Sequence, residues 1–132
     1  MQVNKIALEG FRNFSAEIID FAPGTNVIYG ENAQGKTNLL EAVYMLSGGK
    51  SFRTRTDREL INFDSSWAKI SADIKSQGRE QSVYIGIEQG KPKRITVNSV
   101  KKNACELSES FNTVLFCPDD LNLIKEGASV RR

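Results

Sequence analysis

The sequence contains no histidine, and its two cysteines, Cys105 and Cys117, do not form a C-x-x-C pair. The lack of histidine excludes Ser–His and Cys–His nucleophilic catalysis and most zinc sites. Isolated thiols of this kind indicate reduced, unligated cysteines. No apolar run approaches the roughly 18 residues of a membrane span, and no secretory signal opens the chain. We therefore expect a cytoplasmic protein with no membrane contact.

A strong charge of either sign is also absent, because the formal net charge at pH 7 is only +2. Charge over the whole chain therefore says little about partners. The 132 residues have the length of one domain, and a hydrophobic content of 39% can supply a core. We expect residues 1–132 to form a single unit.

The strongest motif is a stretch of eight residues that fits G-x-x-x-x-G-K-[ST], the phosphate-binding loop of nucleotide-handling proteins. Residues 25–29 precede it and are rich in β-forming side chains, which predicts a strand. Residues 38–46 follow it and place Leu39, Val43 and Leu46 on one helix face. Strand, loop and helix are the context that this motif requires. The eight residues are Gly30, Glu31, Asn32, Ala33, Gln34, Gly35, Lys36 and Thr37.

The residue types in this loop suit a bound triphosphate. Gly30 and Gly35 can adopt backbone angles that other residues avoid, so phosphate oxygens can approach the main chain. The loop N–H groups and the positive end of the following helix then face the anion. We expect Lys36 to reach the β- and γ-phosphates of ATP and the Thr37 hydroxyl to ligate Mg²⁺.

Periodicity predicts a mainly β-structured remainder. The two segments around residues 89–92 have the pattern of a β-hairpin. Residues 57–61 are predicted as a helical turn, residues 104–111 as a helix, and residues 118–121 as the capped start of another helix. Strands are predicted over residues 2–9, 17–21, 67–76, 82–88, 93–97 and 114–117, the last of them buried.

Four blocks of sequence together resemble the RecF family, bacterial recombination-mediator ATPases related to SMC proteins and ABC transporters. The blocks are residues 8–14, 30–44, 48–54 and 114–124. Asp119 stands where that family more often has Glu. The resemblance implies an α/β fold: the first part of an ABC-type ATPase head, with a Walker A strand–loop–helix unit and an antiparallel β layer.

The resemblance also implies function. RecF-like proteins bind single-stranded or gapped duplex DNA in an ATP-dependent way, form ATP-dependent homodimers, and assist recombinational repair and recombinase loading with RecR- and RecO-type mediators. By the same resemblance, the turn that carries Arg12 and Asn13 lies beside the nucleotide, where Arg12 could contact phosphate. The alternative is a solvated arginine and an asparagine that caps a turn.

Two elements that the resembling family needs for hydrolysis are not recognisable here: a signature segment and a strand that ends in adjacent acids, the Walker B element. Residues 46–50 spell most of a signature, but they end the phosphate-loop helix, whereas a signature presents a helix N-terminus. Residues 114–120 imitate the acidic strand, but Pro118 interrupts them and Asp119 suits a helix cap. We expect an N-terminal part of the head, lobe I, that binds ATP and barely hydrolyses it.

Two other functions stay open at this point. A small-molecule or nucleotide kinase uses the same loop but needs a lid and an acceptor site that we do not recognise, and a pure binding module would only hold ATP. Two basic clusters could contact DNA phosphates or could simply be solvated. They are Lys50, Arg53, Arg55 and Arg58, and Lys91, Lys93, Arg94, Lys101 and Lys102. We expect Trp67 to lie in the core.

Overall fold

The computed structural model of the protein describes residues 1–31 and 34–117. These residues form strands and helices of a mixed α/β fold, as predicted. In chain order the elements are β1 (Gln2–Phe11), β2 (Phe14–Asp20), α1 (Lys36–Met45), a 3₁₀ turn (Asp57–Leu60), β3 (Trp67–Ser76), β4 (Arg79–Glu88), β5 (Arg94–Val97), β6 (Val100–Lys101) and α2 (Ala104–Ser110).

The strands form one six-stranded sheet in the order β2-β1-β3-β4-β5-β6, and every neighbouring pair is antiparallel. The alternation of apolar and polar residues sets the register, because a shift by one residue would turn every apolar side chain to the opposite face. Leu8, Ile70, Ile85 and Ile95 consequently stand side by side on four strands and are all buried. The predicted antiparallel layer and its β4–β5 hairpin are confirmed.

Helix α1 covers the buried face of the sheet. Leu39, Ala42, Met45 and Leu46 are buried, whereas Val43 is half-buried. Full burial of one such large aliphatic side chain is worth about 1.5–3 kcal/mol. The helix therefore has a fixed orientation on the sheet, and this orientation determines where the phosphate loop at its N-terminus lies.

Beyond β4, the chain continues with a tight turn between β5 and β6 and with the capped helix α2. Asn98 and Ser99 both have positive φ, of 50° and 65°, which is the geometry of the tight hairpin turn that joins β5 to β6. Strand β6 has only two residues, so periodicity did not reveal it. Helix α2 begins with a capping box between Asn103 and Glu106, and Leu107 buries its face against the core.

Three expectations were wrong. Residues 25–29 form no strand, with Val27 and Tyr29 77% and 86% exposed. Residues 114–117 likewise form no strand, and Val114 is 99% exposed. A strand needs a hydrogen-bonded neighbour, and none of the described residues provides one for either segment. Trp67 is 43% exposed, because the alternation that buries Ala68 turns it to the other face of β3. The predicted helix start at residues 118–121 lies outside the described residues.

Within the described ranges, no helix is both long enough and apolar enough to cross a membrane.

Candidate nucleotide-binding site

Two glycines shape the phosphate loop at the N-terminus of α1. Gly35 is the cap residue of the helix and has φ 95°, in the left-handed region. A Cβ at this position would lie 2.8 Å from the Asn13 Oδ1 atom and 3.0 Å from the ring of Phe14. Gly30 has φ 151°, and a Cβ there would approach the Gln34 side chain to 2.9 Å. Both positions have backbone angles that residues with a side chain rarely adopt, which keeps the main chain open to a ligand.

The lysine and threonine of the motif follow directly. The Lys36 ammonium donates to the backbone carbonyls of Gly30 and, at 2.9 Å, of Glu31. Lys36 therefore reaches across the loop rather than out into solvent. Phosphate oxygens are stronger partners for an ammonium than neutral carbonyls, so a triphosphate can replace them. Thr37 is exposed in the first turn of α1.

Glu31 and Gln34 are exposed. Asn32 and Ala33 lie outside the described residues.

The turn between β1 and β2 brings Arg12 and Asn13 to the same place. Arg12 has φ 51°, and segment 60–62 holds it there: its N–H donates to the Leu60 carbonyl at 2.8 Å, and its carbonyl accepts from Asn62 Nδ2 at 2.7 Å. Asn13 packs its amide against Gly35 and accepts a hydrogen bond from Asn38 Nδ2 at 2.7 Å. The structure thus brings the turn next to the phosphate loop.

The Arg12 guanidinium binds an acid on α1. Its Nε and one terminal nitrogen each donate to a different oxygen of the Glu41 carboxylate at 2.9 Å. Glu41 is fully buried and also accepts from the Ser51 hydroxyl and, at 3.2 Å, from Arg53. Burial raises the pKa of Glu41, but the hydrogen bonds from Arg12 and Ser51 and the charges of Arg12 and Arg53 outweigh it and hold the pKa below its ordinary value.

The turn that carries Arg12 and Asn13 borders an open pocket of about 890 Å³, which no described residue of the phosphate loop lines. Its wall includes Arg12, Asn13, Asn38 and Arg53, and the fully exposed ring of Phe63 stands at its edge. The volume is in the range of small-molecule sites. The arrangement can place cationic and amide groups next to a ligand whose phosphates sit on the loop.

Sequence reasoning missed Glu41, Asn38 and Ser51. A signal for the first existed: Glu41 lies three residues after Asn38 and four before the buried Met45, which is the spacing of one helix face. An acid on the buried face of a helix requires cationic partners. Only the folded chain shows that Arg12 and Arg53 provide them.

The second basic cluster, near the β4–β5 hairpin, is largely neutralised. Lys93 bonds to Asp57 at 2.8 Å and to the Gly49 carbonyl at 2.6 Å, and its side chain is only 20% exposed. Lys91 pairs with Glu88, and Lys102 with Glu106. In the described part of the chain, the two cluster members that form no salt bridge are Arg94 and Lys101.

The segment that resembles a signature ends α1, as predicted. Gly48 and Gly49 both donate their N–H groups to the Met45 carbonyl, at 3.3 and 2.7 Å. Gly49 has φ 67°, the left-handed conformation that commonly stops helices. Residues 46–50 therefore present no helix N-terminus.

The fold and the loop define a mixed α/β protein of the phosphate-loop type. The sequence matches the family described as RecF/RecN/SMC N terminal domain over residues 2–121, and the chain belongs to this family. The RecF resemblance is thereby confirmed.

Curated relatives that the chain resembles are DNA replication and repair proteins RecF. That of Acetivibrio thermocellus is 40% identical over 133 residues, and that of Staphylococcus carnosus is 39% identical. Each match covers 100% of this chain but 36% of the relative. The chain thus spans about a third of the length of these relatives.

Solved structures agree on the fold. The recombination mediator protein RecF of the RecFOR pathway, solved as RecF-ATPrS, matches with a TM-score of 0.88 and 38% identity, over 98% of this chain and 36% of that chain. A structure from work on ATP-driven dimerization and DNA-stimulated activation of SMC ATPases matches with a TM-score of 0.81, over 98% of this chain and 94% of that one. At 21% identity, it supports the fold alone: the head of SMC and RecF ATPases.

Proposed function

We propose that the chain is the ATP-binding part, lobe I, of a RecF-type ATPase that acts on single-stranded or gapped duplex DNA in recombinational repair. The observation that carries the proposal is the loop geometry: two glycines with positive φ, and Lys36 folded across the loop at the start of α1. RecF structures carrying ATP or an ATP analogue match this chain. Membership in this family favours the ATPase over the kinase alternative.

In this proposal residues 30–37 bind the triphosphate of ATP. Lys36 contacts the β- and γ-phosphates, and the Thr37 hydroxyl ligates the Mg²⁺ ion. Arg12 and Asn13 border the nucleotide. Because Arg12 and Arg53 share the single negative charge of Glu41, the cluster as a whole keeps one positive charge, and Arg12 is held in a fixed position at the pocket wall. The bound Mg²⁺ supplies neutralisation of phosphate charge.

The chain alone should bind ATP but hydrolyse it negligibly. Hydrolysis needs a positioned water and charge stabilisation in the transition state, and contacts made equally to substrate and transition state do not raise turnover. The exposed apolar side chains of Val27, Tyr29 and Val114 support contacts with further protein surface in the complete assembly. A homodimer of complete proteins, together with RecR- and RecO-type mediators, would supply the working assembly.

The test is calorimetric titration of the chain and of Lys36→Ala with Mg-ATP. Among the described residues Lys36 donates to two loop carbonyls at the surface, so we expect its removal to weaken ATP binding without changing the thermal midpoint. Equal affinity of the two proteins would refute the proposed site. Turnover by the isolated chain at the rate of a full-length relative, abolished by Lys36→Ala, would show that the site is complete within these residues.

For DNA, we propose that Arg94 and Lys101 contact phosphates, since their charges are not taken up by salt bridges. Replacing both with Gln should flatten the salt dependence of duplex binding, by up to about one unit of slope per lost contact. The matched control is the double replacement of Lys91 and Lys102, which are paired with Glu88 and Glu106. If the control variant flattens the salt dependence of DNA binding as much, the change reflects the total charge of the protein rather than contacts of Arg94 and Lys101.

A further inference from the structure

The Glu41 carboxylate is buried and fully hydrogen-bonded. An ionised carboxylate offers about four acceptor positions. Arg12 donates one hydrogen bond to each of the two carboxylate oxygens. Ser51 donates the second hydrogen bond to Oε1, and Arg53 donates the second hydrogen bond to Oε2. No acceptor position is left for water, so the charge is compensated entirely by side chains of this chain.

Three separate segments meet at this one charge. Arg12 comes from the turn between β1 and β2, Glu41 from α1, and Ser51 and Arg53 from the loop after α1. For stability alone such a cluster gains little, because the desolvation cost of buried ions offsets their attraction, and apolar residues of similar volume often serve as well. A buried carboxylate does, however, fix the orientation of each side chain that donates a hydrogen bond to it.

The hydrogen bonds continue from Glu41 to the phosphate loop. Arg53 donates to Asn38 Oδ1 at 2.6 Å, and Asn38 Nδ2 donates to Asn13 Oδ1 at 2.7 Å. The Asn13 amide then fills the space where a Gly35 side chain would be. An unbroken path of side chains therefore runs from the buried acid to the cap residue of the loop helix.

We propose that Glu41 is a positioning residue of the nucleotide site: its charge holds Arg12 at the pocket wall and, through Arg53 and Asn38, holds Asn13 against Gly35. The inference rests on the proposed nucleotide binding. Glu41 itself touches no nucleotide; it keeps the loop and its neighbouring cation in the geometry that accepts one.

The test measures Mg-ATP affinity of the chain and its variants by calorimetry. Glu41→Gln keeps the size of the side chain but places an N–H group of the new amide against the guanidinium of Arg12 or of Arg53. We expect its ATP affinity to fall about tenfold, as when a group that orients a ligating side chain is removed. The matched control is Ile74→Ala, a fully buried residue of β3 that borders a different pocket. It should destabilise the fold and leave the affinity of the folded protein unchanged.

A second variant covers the case in which Glu41→Gln does not fold. Asn38→Ala cuts the path between Arg53 and Asn13 without touching the buried carboxylate, and it should weaken ATP binding by itself. Where both single variants fold, the double variant should lose no more affinity than Glu41→Gln, because both changes interrupt one path. A purely structural ion pair would give independent, additive losses.

The outcomes separate this inference from the proposed function. If neither the parent chain nor Lys36→Ala binds ATP, the proposed function fails. If the parent binds and Lys36→Ala does not, while Glu41→Gln or, failing that, Asn38→Ala binds like the parent, Glu41 has no positioning role. The positioning role is also overturned if Glu41→Gln loses no more ATP affinity than Ile74→Ala does.

Discussion

The antiparallel sheet differs from two segments without regular structure, residues 25–29 and 114–117, in how far its apolar residues are buried. In the sheet, residues such as Leu8 and Ile85 are completely buried under α1 and the neighbouring strands. In the two segments, Val27, Tyr29 and Val114 are mostly exposed. Large exposed apolar residues indicate an interaction surface. The sheet is thus stabilised by contacts within the described residues, whereas the two segments have no strand partner among those residues.

The Glu41 cluster links α1 to the turn between β1 and β2 and to the loop after α1, and removing it should have the largest effect. Glu41→Gln leaves two guanidinium groups without their anion, and loss of one partner of a buried ion pair costs about 3–5 kcal/mol. Urea denaturation followed by circular dichroism at pH 7 measures this. Glu88→Gln is the control, because Glu88 pairs with Lys91 at the surface and its replacement should have a much smaller effect. Equal losses would mean that burial of Glu41 is unimportant.

The same pair of variants predicts a pH dependence with a defined sign. The pKa of Glu41 in the folded chain is below the ordinary value of 4.5. Its ionisation therefore contributes stability that is fully present above about pH 4.5 and is lost as the pH falls through the folded-state pKa. The difference in unfolding free energy between the parent and Glu41→Gln should shrink on acidification below pH 4.5. A difference that stays constant down to pH 3 would contradict the lowered pKa.

A core substitution tests the contrast between the regions directly. Ile85→Ala should lower the unfolding free energy by about 2–5 kcal/mol, because it leaves a cavity under α1. Val27→Ala should change it by no more than about 0.5 kcal/mol, since the Val27 side chain is 77% exposed. Comparable losses in the two variants would show that residues 25–29 are packed in solution.

The smallest of these effects concerns the cap of α2. Asn103→Ala removes the acceptor for the Glu106 N–H, which should cost about 1 kcal/mol. Because α2 packs on the sheet and not on the loop, ATP affinity should be unaffected. A change in ATP affinity would show that the sheet and the loop are coupled through more than the Glu41 cluster.

Periodicity predicted the sheet well for a physical reason. A half-buried strand must alternate, so residues 67–76 show the pattern of β3 and were assigned with the correct bounds. Residues 25–29 carry equally strong β-forming side chains, yet form no strand here. Propensity describes what a segment can do, whereas a strand exists only where another strand pairs with it.

The candidate site divides in the same way. The eight-residue loop was recognisable because its glycines and Lys36 occupy fixed positions along a contiguous stretch. The basic cluster at the hairpin was not interpretable from sequence: Lys93 bonds to Asp57, 36 positions earlier in the sequence and in another element, so its charge is taken up.

The sequence by itself determined the local features: the alternating strands, the amphipathic α1 and the glycines and lysine of the phosphate loop, all of which follow from neighbouring residues. Only the tertiary structure decided which charges meet. Arg12, Glu41 and Arg53 are 12 or more positions apart, and the sheet and α1 bring them together around one buried carboxylate. Burial removes the water that would otherwise solvate this charge, so its position depends on the whole fold.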